Sequence, residues 1–226
     1  MSKEQNVVSK VFACLMGLYI TCLLLSNLVA GKMMAIGGVT LPAAVILFPV
    51  TYILCDVFTE VYGFKSARTV IWMGFSCSFF AVVVYMITIA LPHPDFWANQ
   101  EAYEIVLGTT PRVFAASLVG YLFGEFSNSM VLSKLKVLTQ GKKLWVRTIF
   151  STVVGEAFDT VIFITISFWG TMETNVLLQM MLFQYLFKVC YEIICTPLTY
   201  VVIRKIKNIE KIDVYDTDTK YKIIGK

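Results

Sequence analysis

Long apolar stretches alternate with short polar ones along most of this chain. A helix needs about 20 apolar residues to cross a bilayer core of roughly 30 Å. Six segments approach or meet that length: 8–31, 40–62, 67–91, 111–133, 145–170 and 175–204. Prolines mark their edges and interruptions. Pro42 opens the second and Pro49 interrupts it, Pro92 follows the third, and Pro197 lies near the end of the sixth. Pro111 stands in the first turn of the fourth, where its missing N–H is harmless. The pattern predicts an all-α integral membrane protein, a six-transmembrane-helix bundle over 1–207, with a solvated polar cytoplasmic tail over 208–226.

Composition agrees. The 226 residues are 58% hydrophobic and 15% charged, against about 25% charged in soluble domains. A signal peptide does not account for the first stretch, Val11 to Gly31. It is too long, lacks an A-x-A cleavage site and is followed by five more. The six cysteines (Cys14, Cys22, Cys55, Cys77, Cys190 and Cys195) fall inside apolar segments without a C-x-x-C pair, and read as small buried hydrophobes.

Charge orients the bundle. With both termini in the cytoplasm, sixteen of the nineteen basic residues fall on the inner side. Lys32 and Arg112 lie near the outer side and Lys188 lies within the sixth span, while the outer loop 92–110 carries Asp95, Glu101 and Glu104. The expected location is the plasma (inner) membrane, multi-pass and in contact with lipid. No feature calls for nucleic acid.

The chemistry lies in charges placed where lipid would penalise them. Asp56, Glu60, Glu125, Glu156, Asp159, Glu192 and Lys188 all fall within spans. Each costs roughly 2.5–3.5 kcal/mol at a bilayer centre on insertion scales, so they are expected to face the bundle interior, pair or stay protonated. Their spacing supports a shared interior. Asp56 and Glu60 are one turn apart, as are Glu156 and Asp159, with Thr152 extending the second stripe. Tyr121, Glu125 and Asn128 form a face of the fourth span, and Gln184, Lys188 and Glu192 one of the sixth. Asn27 and Lys32 add polar groups from the first. The third span has no charge between Thr69 and Leu91 and is expected at the periphery.

At about 1.5 Å per residue, Glu156 and Asp159 are expected near mid-membrane, and Glu60 and Glu192 near the inner interface. Residues 124–129 (GEFSNS) and 155–160 (GEAFDT) share the pattern G-E-x-x-[ND]-[ST], a local echo that would give the fourth and fifth spans equivalent polar faces. The candidate substrate-binding or proton-coupling residues are therefore Asn27, Asp56, Glu60, Glu125, Asn128, Glu156, Asp159, Gln184, Lys188 and Glu192. Phe48, Tyr52 and Trp72 are candidates to stack a planar ligand. Each carboxylate could instead hold helices together, as buried Asn does between membrane helices.

Several motifs match a known family. The runs SNLVAGK in the first span, FPVTYILCDVFTEVYGFKSAR (48–68), GEFSNSMVLSKLK (124–136) and RTIFSTVVGEAFDT (147–160), with the lone Lys188 before Pro197, resemble the queuosine precursor transporter family, also called the vitamin uptake transporter family. The resemblance implies an inner-membrane importer of 7-deazaguanine bases, salvaged for a tRNA modification. It also implies a fold like the substrate-binding components of energy-coupling-factor vitamin transporters. A deazaguanine is flat and presents a two-donor N–H edge that a carboxylate can accept, while Asn27 or Asn128 can meet its carbonyl and ring nitrogens.

Two transport classes stay open: a transporter acting alone, by proton-coupled or facilitated exchange and with a homo-oligomer open, and a binding subunit energised by a separate ATPase module. The chain holds no G-x-x-x-x-G-K-[ST] motif, so any use of ATP requires a partner. An enzyme is not expected. The one histidine, His93, lies in a P-H-P loop, which removes most His-based metal sites and Ser–His chemistry. An Asp56–Asp159 aspartyl dyad is the remaining catalytic reading. No cofactor or metal is expected.

Overall fold

Pro49 sits in the first turn of a helix rather than in the middle of one. In the computed structural model, which describes residues 9–29, 32–36, 39–108, 111–171 and 173–223, the chain leaves helix α1 (Lys10–Val29) and forms a short antiparallel hairpin. Its strands are β1 (Met33–Ile36) and β2 (Val39–Pro42), pairing Met33 with Pro42 and Ile36 with Val39. A 3₁₀ turn (Ala43–Ile46) leads into α2 (Phe48–Tyr62). The expected span 40–62 is therefore helical only from Phe48, because proline fits a helix at its first turn and breaks it later.

The other helices are α3 (Phe64–Ala90), α4 (Gln100–Leu107), α5 (Pro111–Leu138), α6 (Leu144–Phe168) and α7 (Thr174–Glu210). Among the described residues, five helical stretches are long and apolar enough to cross a membrane: α1, α3, the one containing α5, α6 and α7. With 15 residues α2 is about 22 Å long, shorter than a bilayer core. It compensates by being enclosed: α1, α3, α5 and α7 all pack on it. Ile53, Leu54, Val57, Phe58 and Val61 join Tyr19 of α1 and Ile203 of α7 in one apolar core.

Gly63 alone separates α2 from α3, with φ +83°. That conformation suits glycine, and a Cβ there would also stand 2.7 Å from Val214 Cγ1. The third span, expected at the periphery, is peripheral only in its second half. Phe64, Ala67, Val70, Ile71, Gly74 and Ser78 are buried, whereas Phe79, Phe80, Met86 and Ile87 are exposed.

The segment after α7 is solvent-exposed over most of its length, yet it is docked on the bundle. Residues 211–223 fold back on the end of the bundle that carries Gly63. The Val214 N–H donates to the Val61 carbonyl (3.1 Å). Asp216 accepts from the Phe64 N–H (2.8 Å) and the Ser133 hydroxyl (2.6 Å). The Trp72 indole N–H and Arg68 Nη1 donate to the carbonyls of Ile223 (2.9 Å) and Lys222 (3.0 Å). The physical reason lies at Gly63, which has no side chain to cap α3. The first N–H groups of a helix need acceptors and favour a negative charge, and Asp216 supplies both from 152 positions away.

Candidate functional site

The two echoing motifs meet where α5 crosses α6. A Cβ on Gly124 would lie 2.8 Å from Asp159 Cβ, and one on Gly155 would lie 2.8 Å from Asn128 Cβ. The arrangement is reciprocal: the glycine of each motif seats the Asn or Asp of the other. A Cβ on Gly120 would likewise stand 2.8 Å from Asp159 Oδ1. Small residues let backbones approach this closely in membrane helices, and here they bring two polar stripes together.

Lys188 of α7 closes this crossing. Its Nζ pairs with Glu156 Oε2 at 2.7 Å and with Asp159 Oδ2. Glu156 stands at the midpoint of α6 and is buried, as is Lys188. Asp159 is 23% exposed in its side chain, so this end of the triad is the open one. The Tyr52 hydroxyl of α2 is hydrogen-bonded to Glu156.

A second group lies along the seam of α2 and α5. Cys55 Sγ donates to Glu125 Oε2 (2.7 Å), and Asn128 Nδ2 donates to Asp56 Oδ1 (3.2 Å). The Thr59 hydroxyl donates to Ser129 Oγ (3.0 Å). Cys55, expected to be merely apolar filling, is thus a donor to a buried carboxyl. Glu192 of α7 faces like charge from both Asp56 and Glu156, one from each group.

Four buried oxygens in this region have no hydrogen-bond partner among the described residues: Asp56 Oδ2, Asn128 Oδ1 and both carboxyl oxygens of Glu192. Asp56 and Glu192 are each only 1% exposed. Buried polar atoms are nearly always paired in folded proteins. Every one of these four is an acceptor when its group is in the ordinary form, so the arrangement suits a ligand that brings donors.

Glu60 belongs to a different construction. Its carboxylate is fully buried and takes a two-point contact from Arg147, Nε to Oε2 at 2.9 Å and Nη2 to Oε1 at 2.6 Å. Lys207 reaches Oε1 at 2.7 Å, and Lys136 donates to the Glu60 backbone carbonyl at 2.5 Å. Asp213 of the tail bridges Lys136 (2.5 Å) and Lys207 (2.9 Å). Burial alone would push the Asp213 carboxyl up, but the hydrogen bonds from Lys136 and Lys207 outweigh it and hold it below the usual range. The network ties α2, α5, α6, α7 and the tail at one end of the bundle, and it occupies both oxygens of Glu60.

The remaining candidates scatter. Asn27 is exposed on α1, and Gln184 is half-buried one turn from Lys188. Trp72 packs edge-on to Phe75 at 5.6 Å and is bound to the tail through Ile223. The Phe48 side chain lies outside the described residues. Sequence reasoning missed Arg147, Lys136 and Lys207, counted only among the inner-side basic residues, as well as Asp213 and the Tyr19–Tyr121 hydroxyl pair (3.1 Å). The signal for Arg147 was its place one turn ahead of the stripe Ser151, Thr152, Gly155 and Glu156. A cleft of ≈ 390 Å³ opens between Lys65, Ser66 and the tail, and a smaller apolar one of ≈ 210 Å³ lies between α6 and α7. The carboxyls within the spans line neither.

Comparison with known proteins fits this picture. The profile of the family described as "Putative vitamin uptake transporter" matches residues 42–202, a range that holds every residue of the α2–α5–α6–α7 site. The chain belongs to the vitamin uptake transporter family. That makes it a multi-pass membrane protein of a transporter family, not an enzyme. Among curated relatives, the "Probable queuosine precursor transporter" of Bacillus subtilis (strain 168) is 28% identical over 82% of this chain and 82% of its own length. The "Queuosine precursor transporter" of Escherichia coli (strain K12) is 24% identical over 65% of each. The "Probable queuosine precursor transporter" of Haemophilus influenzae is 26% identical over 71% of this chain and 69% of its own length. No solved structure matches.

Proposed function

We propose that this vitamin uptake transporter imports queuosine precursors, 7-deazaguanine bases, across the plasma membrane, acting without an ATPase module. Its termini lie in the cytoplasm in this reading, as the concentration of basic residues at the Glu60 end suggests. The observation that carries the proposal is the set of buried acceptors without donors: Asp56 Oδ2, Asn128 Oδ1 and the Glu192 carboxyl. A guanine-like edge carries an N–H and an exocyclic amine side by side, two donors for a carboxylate or for a carboxylate and an amide. The names of the three relatives support the substrate.

Asn128 holds Asp56 by one oxygen and leaves the other for the base. Tyr52 sits beside Glu156 at the centre of the bundle, where its ring can cover the face of a flat ligand. The Lys188 triad, to which Glu156 belongs, fixes α7 against α6. Transport then requires the bundle to open alternately on either side of this position, with α5–α6 moving as a unit because its glycine crossing leaves no slack.

Uptake of a labelled 7-deazaguanine by cells unable to synthesise the base tests the reading. Expression of the chain should confer uptake. Uptake that appears only when an ATPase module is added would replace stand-alone transport with the energised-subunit reading. No uptake under either condition would overturn the substrate.

A further inference from the structure

The tail joins parts of the bundle that have to separate for the Glu60 end to open. α5 and α6 are packed together at their glycine crossing, and α2 and α3 are joined through Gly63. Residues 211–223 hold both pairs. Toward α2 and α3, the Val214 N–H donates to the Val61 carbonyl, and Trp72 and Arg68 donate to the carbonyls of Ile223 and Lys222. Toward α5, Lys136 Nζ donates to the Val214 carbonyl (2.6 Å), and the Tyr221 hydroxyl lies 3.1 Å from Ser133 Oγ. A single atom spans the seam: Asp216 Oδ2 accepts from the Phe64 N–H of α3 and from the Ser133 hydroxyl of α5. The attachment is nevertheless shallow. Asp216 is the one buried residue of 211–223, while Val214 and Tyr215 stay 36% and 42% exposed. A cleft of ≈ 390 Å³ separates part of the tail from Tyr62, Lys65 and Ser66, and Asp216 lines it. A segment with few buried apolar contacts and mostly exposed hydrogen bonds opens locally, without unfolding of the rest.

We infer that residues 211–223 are a releasable latch on the Glu60 end of the bundle, with Asp216 as its pin, and that the latch lifts before the transport path opens at that end. The inference rests on the alternating opening in the proposed function, not on its substrate. Lifting the tail also loosens the helices beneath it. Of the three oxygens hydrogen-bonded to Lys136 Nζ, two belong to the tail, at Asp213 and Val214, and the third is the Glu60 carbonyl of α2. Lys207 loses Asp213 in the same movement. The Glu60–Arg147 pair then remains as the inner closure between α2 and α6. The latch is thus the outer of two closures, and the one built from contacts that water can replace.

The test reads access to Cys55, which is 2% exposed on the seam of α2 and α5, one turn before Thr59 and Glu60. The full chain is placed in vesicles of either orientation, a membrane-impermeant maleimide is added, and modification of Cys55 is followed by peptide mass spectrometry. Asp216→Ala should speed modification from the Glu60 side at least about tenfold, the effect of losing one hydrogen bond to a charged group. The rate from the opposite side should not change. A chain ending at Glu210 should show the same one-sided rise, at least as large. Asp218→Ala is the control, because its carboxylate accepts from Thr217 of the tail itself (3.5 Å) and from no group of the bundle among the described residues. Faster modification from both sides would make the tail a support for the whole fold, and an unchanged rate would leave it no part in closure. Either result overturns the latch. No substrate enters this measurement, so the substrate reading is decided separately, by uptake.

Discussion

Gly124 and Gly155 face each other where α5 crosses α6, so closely that a Cβ on Gly155 would stand 2.9 Å from the Gly124 carbonyl oxygen. That contact, with its mirror between a Gly124 Cβ and the Gly155 carbonyl oxygen (3.2 Å), positions the carboxyls of the candidate site. The six-residue echo between GEFSNS and GEAFDT is therefore a packing device as well as a pair of polar faces.

Replacing Gly155 with alanine should force the two helices apart. Overpacking of this kind costs about 1–3 kcal/mol, and the displaced groups include Asn128 and Asp159. Thermal unfolding in detergent should show a clear loss of stability, with transport reduced. Gly17→Ala on α1 is the control, because nothing lies within 4 Å of its added methyl. Equal, small effects at both positions would show that the crossing has slack.

Glu60 and Arg147 make a buried ion pair with two hydrogen bonds. Removing one partner of such a pair costs about 3–5 kcal/mol, because the other charge stays buried. Glu60→Gln and Arg147→Gln should each be strongly destabilising, and the double variant less so than the sum of the two. Arg147→Lys should behave as a loss, since an ammonium cannot reproduce the fork. Additive effects in unfolding experiments would mean that the pair contributes no coupling.

The tail answers to pH in a defined direction. Asp213 is held below its ordinary range by Lys136 and Lys207 despite burial. Its stabilising contribution is therefore complete above the unfolded value near 3.8 and lost as pH falls through the lower folded value. Hydrogen exchange over 211–223 should stay slow from neutral pH down to about 5 and rise only in stronger acid, below about 4. Asp213→Asn should raise exchange already at pH 7. Release between pH 6 and 7 would assign the closure to other groups.

Much of this arrangement is legible in the sequence, and the reason is local. The stripes of α5, α6 and α7 follow helical spacing, so Glu125 with Asn128, Glu156 with Asp159, and Lys188 with Glu192 fall on shared faces without knowledge of the fold. The start of α2 is not local in the same way, because Pro49 reads equally as an interruption and as a first turn. Glu60 shows a harder limit. Its position one turn from Asp56 is visible, but its partner Arg147 is 87 positions away, and pairing across that distance leaves no periodic trace. The docking of the tail left no trace for a related reason: nothing in the polar sequence shows that Asp216 caps a bare helix end, and that end is created by Gly63.

The central claim is that this chain alone moves queuosine precursors through the buried acceptors beside Asp56. The most direct measurement is uptake of a labelled 7-deazaguanine into liposomes containing only the purified protein, intact and as Asp56→Asn. The account predicts saturable uptake by the intact chain and at least a tenfold loss in a folded, inserted Asp56→Asn variant. Uptake that is absent with intact protein, or unaltered by the substitution, would contradict it.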